Sequence, residues 1–126
     1  MANLTPKEKD EQIAFVDWLD RKFLKFTSIP NSTWTPSFKQ KHANKQTGLR
    51  PGLPDLLILI SADKSASRKA VMVFVEMKRK KGSEVRRDQV VWIEKLNEIE
   101  NVQAQVCYGA DEAMDFVRQF LKLKRL

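Results

Sequence analysis

The sequence predicts an α/β fold in which a mixed sheet is flanked by helices, organised as one domain over residues 1–126. Two apolar runs near the middle of the chain, at 56–60 and 71–75, are typical of buried strands. Segments with apolar residues at helical spacing precede and follow them. The expected order is helix, three strands, helix, strand, helix.

The first helix is predicted from about residue 6 to 24. Thr5-Pro6-Lys7-Glu8 has the capping-box pattern with proline in the first turn. The residues that follow at helical spacing are Gln12, Phe15, Val16, Leu19 and Phe23. A short strand is predicted at 26–29, ended by Pro30-Asn31. From there to Pro51 the chain is polar without clear periodicity, and a connection of about twenty residues more often covers a functional site than not.

The later elements follow from similar patterns. Strands are predicted at about 54–60 and 70–78, joined by a polar loop. Ser83 is the expected N-cap of a helix that runs to about residue 100. The inner face of that helix is expected to carry Val85, Gln89, Trp92, Leu96 and Ile99. A strand at about 102–108 and a helix at about 111–123 complete the chain.

The two central strands predict a cluster of charged groups. If they form an antiparallel hairpin with its midpoint near residues 65 and 66, Asp55 faces Glu76 across the ladder. Lys78 then shares the face of Glu76, because strand side chains alternate with period two. Desolvating two acids and an ammonium group is costly, and a bound cation would offset that cost. The alternative is that both acids end their strands in solvent, with Lys78 as an ion-pair partner.

The net charge of +7 indicates a polyanionic partner, most readily nucleic acid. The alternative is that excess lysine only keeps the protein soluble. Two basic clusters flank the acids, so a phosphate backbone laid across them would meet cations on both sides. The expected DNA-binding residues are Lys39, Lys41, Lys45, Arg50, Arg79, Lys80, Lys81, Arg86 and Arg87. A third cluster near the end of the chain contains Arg118, Lys122, Lys124 and Arg125.

Several function classes are not expected. The single cysteine, Cys107, forms no disulfide within the chain, and no Cys/His spacing suggests zinc. No leader or membrane-spanning run is recognisable, which predicts a soluble, cytoplasmic protein with no membrane partner. No glycine-rich phosphate loop is present, so no nucleotide cofactor is expected.

For four further residues the sequence allows two or more structural or functional roles. Glu8 could reach the acidic cluster from the first helix or only complete the capping box with Thr5. Gln89 could contact the attacking water, a metal-bound water or a phosphate, or satisfy a backbone group in the core. Trp34 and Phe38 could stack on bases, anchor a dimer or pack against their own domain.

These motifs resemble the VRR-NUC family of the PD-(D/E)XK nuclease superfamily. The resemblance rests on Gly52-Leu53-Pro54-Asp55, on Glu76-Met77-Lys78 and on Gln89 three residues before Trp92. Glu8 with Gln12, and the Pro30-Asn31 step, extend it over most of the chain. It implies a restriction-endonuclease-like αβββαβ core with an extra C-terminal helix. It also implies Mg²⁺-dependent phosphodiester cleavage, and small stand-alone members, often from phages or bacteria, cut four-way DNA junctions as dimers.

The residue types suit that chemistry. Asp55 and Glu76 would hold Mg²⁺, or Mn²⁺ in its place, through hard oxygen ligands, with the Met77 carbonyl and Glu8 as further candidate ligands. Lys78 would orient the attacking water and offset charge on the phosphoryl oxygens; whether it also acts as a base is open. The resemblance implies a structure-selective endodeoxyribonuclease that acts on branched DNA such as four-way junctions as a homodimer, in the host cytoplasm if phage-encoded. The alternatives are a basic DNA-binding module without catalysis, a flap or general DNA nuclease, and a protein-interaction factor.

Overall fold

The computed structural model describes residues 5–30 and 34–123, without the side chains of Thr5 and Pro6. The helices are α1 (Thr5–Arg21), α2 (Phe38–Gln46), α3 (Arg87–Asn97) and α4 (Ala110–Arg118). The strands are β1 (Lys25–Ser28), β2 (Leu56–Ile60), β3 (Val71–Lys78) and β4 (Val102–Tyr108). Within these ranges, no helix combines the length and apolar character needed to cross a bilayer.

The four strands form one mixed sheet in the order β1-β2-β3-β4. β1 and β3 both run antiparallel to β2, whereas β4 runs parallel to β3. Parallel neighbours need a long crossover, and α3 supplies it between β3 and β4. The predicted α/β fold, with a mixed sheet, flanking helices and a helix after the last strand, is confirmed.

Helices cover both faces of the sheet. α1 and α4 pack on one face, where Phe15, Leu19 and Val117 meet the inward side chains Ile58 and Val73. On the other face a smaller apolar cluster forms around Phe74, Val102 and Ala104, and Ile93 and Leu96 of α3 pack against it. The face that α3 covers is the one that carries the site described below.

The largest departure from the sequence prediction is α2, which lies in the segment expected to be irregular. No residue of α2 is buried. An apolar stripe is the signal by which a helix is recognised in a sequence, and a helix that buries nothing lacks one. The local signal is the Ser37 N-cap, whose side chain accepts a hydrogen bond from the backbone N–H of Gln40 at 3.1 Å.

Helix boundaries also differ from those predicted. α1 ends at Arg21 rather than near residue 24, and Phe23 adopts a positive φ of 56°. α3 begins at Arg87, with Arg86 as its N-cap, and the predicted cap Ser83 instead accepts a hydrogen bond from Arg79 Nε at 3.2 Å. Ile99, expected on the inner face of α3, lies beyond its end and is exposed.

The last helix is shorter than predicted, and three sequence features lie outside the described part. α4 ends at Arg118, and the chain after it forms a β-bridge from Leu121 to the buried Ser65. The side chain of Thr5, and with it the predicted capping box, is outside the description, as are Asn31 and the cations Lys124 and Arg125.

Candidate active site

The predicted register of the central hairpin is confirmed. Leu56 pairs with Val75 and Ile60 with Val71, so the next position along the ladder opposes Asp55 to Glu76. The backbone N–H of Met77 donates to Asp55 Oδ2 at 2.8 Å, which fixes this carboxylate at the end of β3. Asp55 and Glu76 therefore meet at one end of two adjacent strands.

The three charged groups share one face of the sheet. Along β3, alternate side chains point to opposite faces of the sheet. Phe74 belongs to the cluster under α3, so Glu76 and Lys78, which follow it at intervals of two residues, lie on that same face. Lys78 Nζ lies 3.6 Å from Glu76 Oε2, and both side chains are largely buried. The alternative in which the acids point into solvent does not hold for Glu76, which is 3% exposed.

Glu76 has one satisfied and one unsatisfied oxygen. Oε2 accepts a hydrogen bond from Gln89 Nε2 at 3.0 Å. Oε1 is buried and has no hydrogen-bond partner among the described residues. Burial, followed by the negative charge of Asp55, raises the pKa of Glu76 to about 8. A proton or a cation bound to Oε1 would satisfy this buried oxygen and offset the negative charge of the two carboxyl groups.

Asp55 has a related environment. Burial raises its pKa, while the hydrogen bond from Met77 and the positive charge of Lys78 act in the opposite direction. Two neighbouring carboxyl groups with raised pKa values cannot both ionise easily without a compensating positive charge. The pair is thus suited to a divalent cation.

Gln89 joins α3 to the charged cluster. Its Oε1 accepts hydrogen bonds from Lys78 Nζ at 3.2 Å and from the backbone N–H of Arg86 at 3.0 Å, while its Nε2 donates to Glu76. It is the one buried residue of α3. The expectation that this amide satisfies a backbone group is confirmed, and the amide also contacts two candidate site residues. Contact with water or phosphate stays a prediction.

Glu8 lies at the edge of the cluster. Burial and then the negative charge of Asp55 raise the pKa of Glu8, so the first turn of α1 is within electrostatic reach of the site. Within the described ranges, however, no three histidine, cysteine or carboxylate side chains are placed to bind one ion together. The role of Glu8 as a metal ligand stays a prediction.

The groups at the site fit Mg²⁺ without a third carboxylate. This cation usually retains several waters and takes one or two carboxylates from the protein. Asp55 and the unsatisfied Oε1 of Glu76 supply those oxygens. The N–H of Met77 points toward Asp55, and the carbonyl of a strand residue points to the same side as its N–H, so the Met77 carbonyl is a third oxygen on that side.

The predicted DNA-binding cations lie in two regions of the chain, and some of their side chains already make contacts within the protein. All of them except the half-buried Arg79 are exposed. The Arg79 side chain bonds back to Gly82 and Ser83, and Arg86 pairs with Asp88 at 3.3 Å. Arg50 Nη1 donates to the carbonyl of Lys45 at 3.0 Å.

Glu11 has a structural role that the sequence did not predict. The pattern of the first helix predicts a solvated surface charge at this position, which is wrong, because Glu11 Oε1 accepts a hydrogen bond from the backbone N–H of Ala110 at 2.9 Å and thereby caps α4. Its Oε2 lies 4.0 Å from Lys80 Nζ. A contact between residues so distant in sequence leaves no local pattern by which it could have been found.

Comparisons with known proteins agree with the geometry. The VRR-NUC domain model matches residues 2–111. A solved structure described as "VRR_NUC domain protein" superposes with a TM-score of 0.69 at 24% identity, covering 93% of this chain and 89% of the other, which supports the fold. No curated protein matches. The family match spans most of the sequence, including Asp55, Glu76, Lys78 and Gln89, and the chain belongs to the VRR-NUC family of nucleases.

Proposed function

We propose that this protein is a Mg²⁺-dependent endodeoxyribonuclease that hydrolyses phosphodiester bonds in branched DNA such as four-way junctions. The observation that carries the proposal is the buried Oε1 of Glu76, which lacks a hydrogen-bond partner among the described residues and belongs to a carboxyl group beside Asp55. A pure binding module gains nothing from carboxylates turned toward phosphate. The family match supports a nuclease.

Each site residue has a role consistent with its contacts. Asp55, Glu76 and the Met77 carbonyl would hold the cation, and Mn²⁺ would substitute for Mg²⁺. The cation would supply the positive charge that lowers the barrier to attack on an anionic phosphodiester. Lys78, held by Gln89 at 3.2 Å, would offset charge on the phosphoryl oxygens and orient the attacking water.

Selectivity for branched DNA and action as a homodimer belong to the same proposal. Two cuts placed symmetrically about a junction need two active sites, which a two-fold symmetric dimer provides. Exposed cations lie on α2 and on the segment between β3 and α3, and they would supply the phosphate contacts for a DNA backbone bound at the site.

A cleavage panel tests the proposal. Four-way junction, flap, nicked and linear duplex substrates are incubated with Mg²⁺, with Mn²⁺ or with chelator. We expect the junction to be cut fastest, and only with a divalent ion. Asp55→Asn and Glu76→Gln should each abolish cutting, whereas the matched control Asp63→Asn, an exposed carboxylate, should not.

Each contrary result has a distinct meaning. Cleavage that persists in the Asp55→Asn/Glu76→Gln double variant would remove these carboxylates from the mechanism. Binding of every substrate without any divalent-dependent cutting would favour a DNA-binding module. Fastest cutting of the flap, or equal cutting of all four substrates, would replace junction selectivity with flap or general nuclease activity.

A further inference from the structure

The segment that contains α2 leaves the body of the protein beside Asp55 and returns beside it. Before the segment, the backbone N–H of Ile29 donates to the carbonyl of Asp55 at 2.7 Å. After it, the chain reaches Asp55 only three residues beyond Gly52. We refer to residues 34–50 as the basic arm. Ile29, before the arm, and Gly52, after it, are therefore both held near Asp55.

The returning end is anchored to α3. Trp92 Nε1 donates to the carbonyl of Pro51 at 3.0 Å. Gly52 has a φ of +107°, and a Cβ there would lie 2.8 Å from the backbone carbonyl of Asp88. A side chain at this position would therefore separate the arm from the helix that carries Gln89. Pro51 and Gly52, which form the base of the arm, therefore pack directly against the helix that carries the active-site residue Gln89.

The arm itself is exposed and basic. No residue of α2 is buried, and from Arg21 to Pro54 the chain contains no aspartate or glutamate. Two aromatic side chains on the arm face solvent, with Trp34 79% exposed and Phe38 89% exposed. The expectation that they pack against their own domain is wrong. Exposed aromatic groups among cations are the combination by which proteins bind unpaired or unstacked nucleotides.

We propose that the basic arm binds the DNA substrate at its branch point and confers the preference for branched over linear duplex. The arm's lysines contact phosphates, while Trp34 and Phe38 stack on base faces that the interruption of the helix leaves uncovered. This inference rests on the proposed function, since it assigns a substrate feature to the same site. It adds two specificity-determining residues that do not belong to the metal cluster.

The charge of the arm favours DNA over a second copy of the chain as the occupant. In a two-fold symmetric contact the same patch lies on both sides of the interface. Two acid-free arms would then bring like charges together, at a cost in free energy. Phosphates instead neutralise those charges and release counterions. Stacking of a base on an aromatic side chain adds an attraction that does not depend on charge.

Binding measurements in chelator test the inference without cleavage. Fluorescence anisotropy gives Kd for a labelled four-way junction and for a linear duplex of equal length. We expect the Trp34→Ala/Phe38→Ala double variant to bind the junction at least about tenfold more weakly, with less than about a twofold change for the duplex. Phe23→Ala is the matched control, because Phe23 is 83% exposed but lies near the opposite end of the sheet, and it should change neither Kd.

A charge variant separates the phosphate contacts from stacking. Lys39→Gln/Lys41→Gln/Lys45→Gln should weaken binding to both DNAs and reduce the slope of log K against log salt by about 2 to 3, since each phosphate contact contributes about 0.9. Lys69→Gln, an exposed lysine in the β2–β3 loop, is the control and should leave the slope unchanged.

The result that would overturn the inference is an equal loss, or no loss, for junction and duplex in the aromatic variant. Conversion of a dimer to a monomer by that variant in sedimentation equilibrium would also overturn it, since the aromatics would then lie between copies of the chain. Binding without cleavage in the presence of Mg²⁺ would instead contradict the nuclease proposal and leave the arm's preference for branched DNA standing.

Discussion

Gln89 determines which oxygen of Glu76 remains free. Its Nε2 donates to Oε2 at 3.0 Å, so Oε1 is the oxygen left without a partner in the described part of the chain. The orientation of the amide is itself fixed, because its Oε1 accepts from Lys78 and from the backbone of Arg86. A single side chain on α3 thus orients both the acid and the ammonium group on β3.

Replacing Gln89 should therefore weaken metal binding more than DNA binding. Gln89→Leu removes the donor to Glu76 and leaves Lys78 free to move. Loss of a group that orients a metal ligand typically lowers metal affinity or activity by about 10–100-fold. We expect the Mg²⁺ dependence of cleavage to shift to higher concentration by a factor in that range, with DNA affinity in chelator unchanged.

The exposed Gln103 on β4 offers the control for this substitution. Gln103→Leu makes the same chemical change and should leave the Mg²⁺ dependence unaltered. If Gln89→Leu instead lowers the DNA affinity and leaves the metal dependence as it was, Gln89 acts on the phosphate backbone rather than on Glu76.

The raised pKa of Glu76 predicts how the stability of the metal-free protein depends on pH. Folding raises this pKa from 4.5 to about 8, so between those values the folded state holds a proton that the unfolded state has released. The stabilisation is complete below about pH 4.5 and is lost as the pH rises toward about 8. The raised pKa of Asp55 acts in the same direction.

Thermal unfolding in chelator checks this relationship. The Tm of the wild-type protein should fall between pH 5 and pH 8, and it should fall less in Glu76→Gln, which mimics the protonated acid at every pH. Added Mg²⁺ should raise the wild-type Tm at pH 8 and have little effect on the variant. A pH profile that is the same for both proteins would mean that Glu76 is ionised in the metal-free fold.

The hairpin that carries the site was predictable from the sequence alone. Two short apolar runs separated by one polar loop favour an antiparallel hairpin, and a midpoint near residues 65 and 66 places Asp55 opposite Glu76, as observed. Period-two alternation then places Lys78 beside Glu76. Local pattern was enough because the strands are adjacent in sequence.

Features that depend on distant packing were not predictable in this way. The helix α2 buries nothing, so no periodicity marks it, and the start of α3 was misplaced because Ser83 bonds Arg79 instead of a helix N-terminus. The use of Gln89 to hold Glu76 follows from how α3 crosses the sheet. The helical spacing of the sequence predicts Gln89 on the inner face of α3 but does not identify its hydrogen-bond partners.

Gly52 should tolerate no side chain, because an added Cβ would collide with the backbone of Asp88 and with the ring of Trp92. Gly52→Ala places a Cβ 2.8 Å from the carbonyl carbon and oxygen of Asp88, at a φ of +107°. Strain in the backbone alone costs about 1–3 kcal/mol. We expect urea unfolding to show a loss of stability larger than this strain, and junction cleavage to fall because Asp55 and the base of the arm both shift.

Gly48→Ala is the matched comparison for that variant. Gly48 has nearly the same φ, +104°, but nothing lies within 4 Å of its added Cβ. Because Gly48 lies on the arm, Gly48→Ala should accelerate hydrogen exchange of the α2 amides through backbone strain alone and leave global unfolding in urea unchanged. Gly52→Ala should lower the global stability, and an unchanged urea transition in that variant would show that the contact of Gly52 with α3 does not contribute to the stability of the core.

The N-cap of α2 should stabilise the arm without stabilising the rest of the protein. Ser37→Ala removes the hydrogen bond to the N–H of Gln40, a change that costs a helix about 0.5–2 kcal/mol. Because α2 buries no residue, its loss of stability should not affect the core, and the free energy of global unfolding in urea should be unchanged. Hydrogen exchange of the α2 amides should accelerate by about fivefold for each kcal/mol lost. Ser37→Asn, which retains a capping acceptor, should keep the wild-type exchange rates, and a matching fall in global stability in Ser37→Ala would show that α2 is coupled to the core.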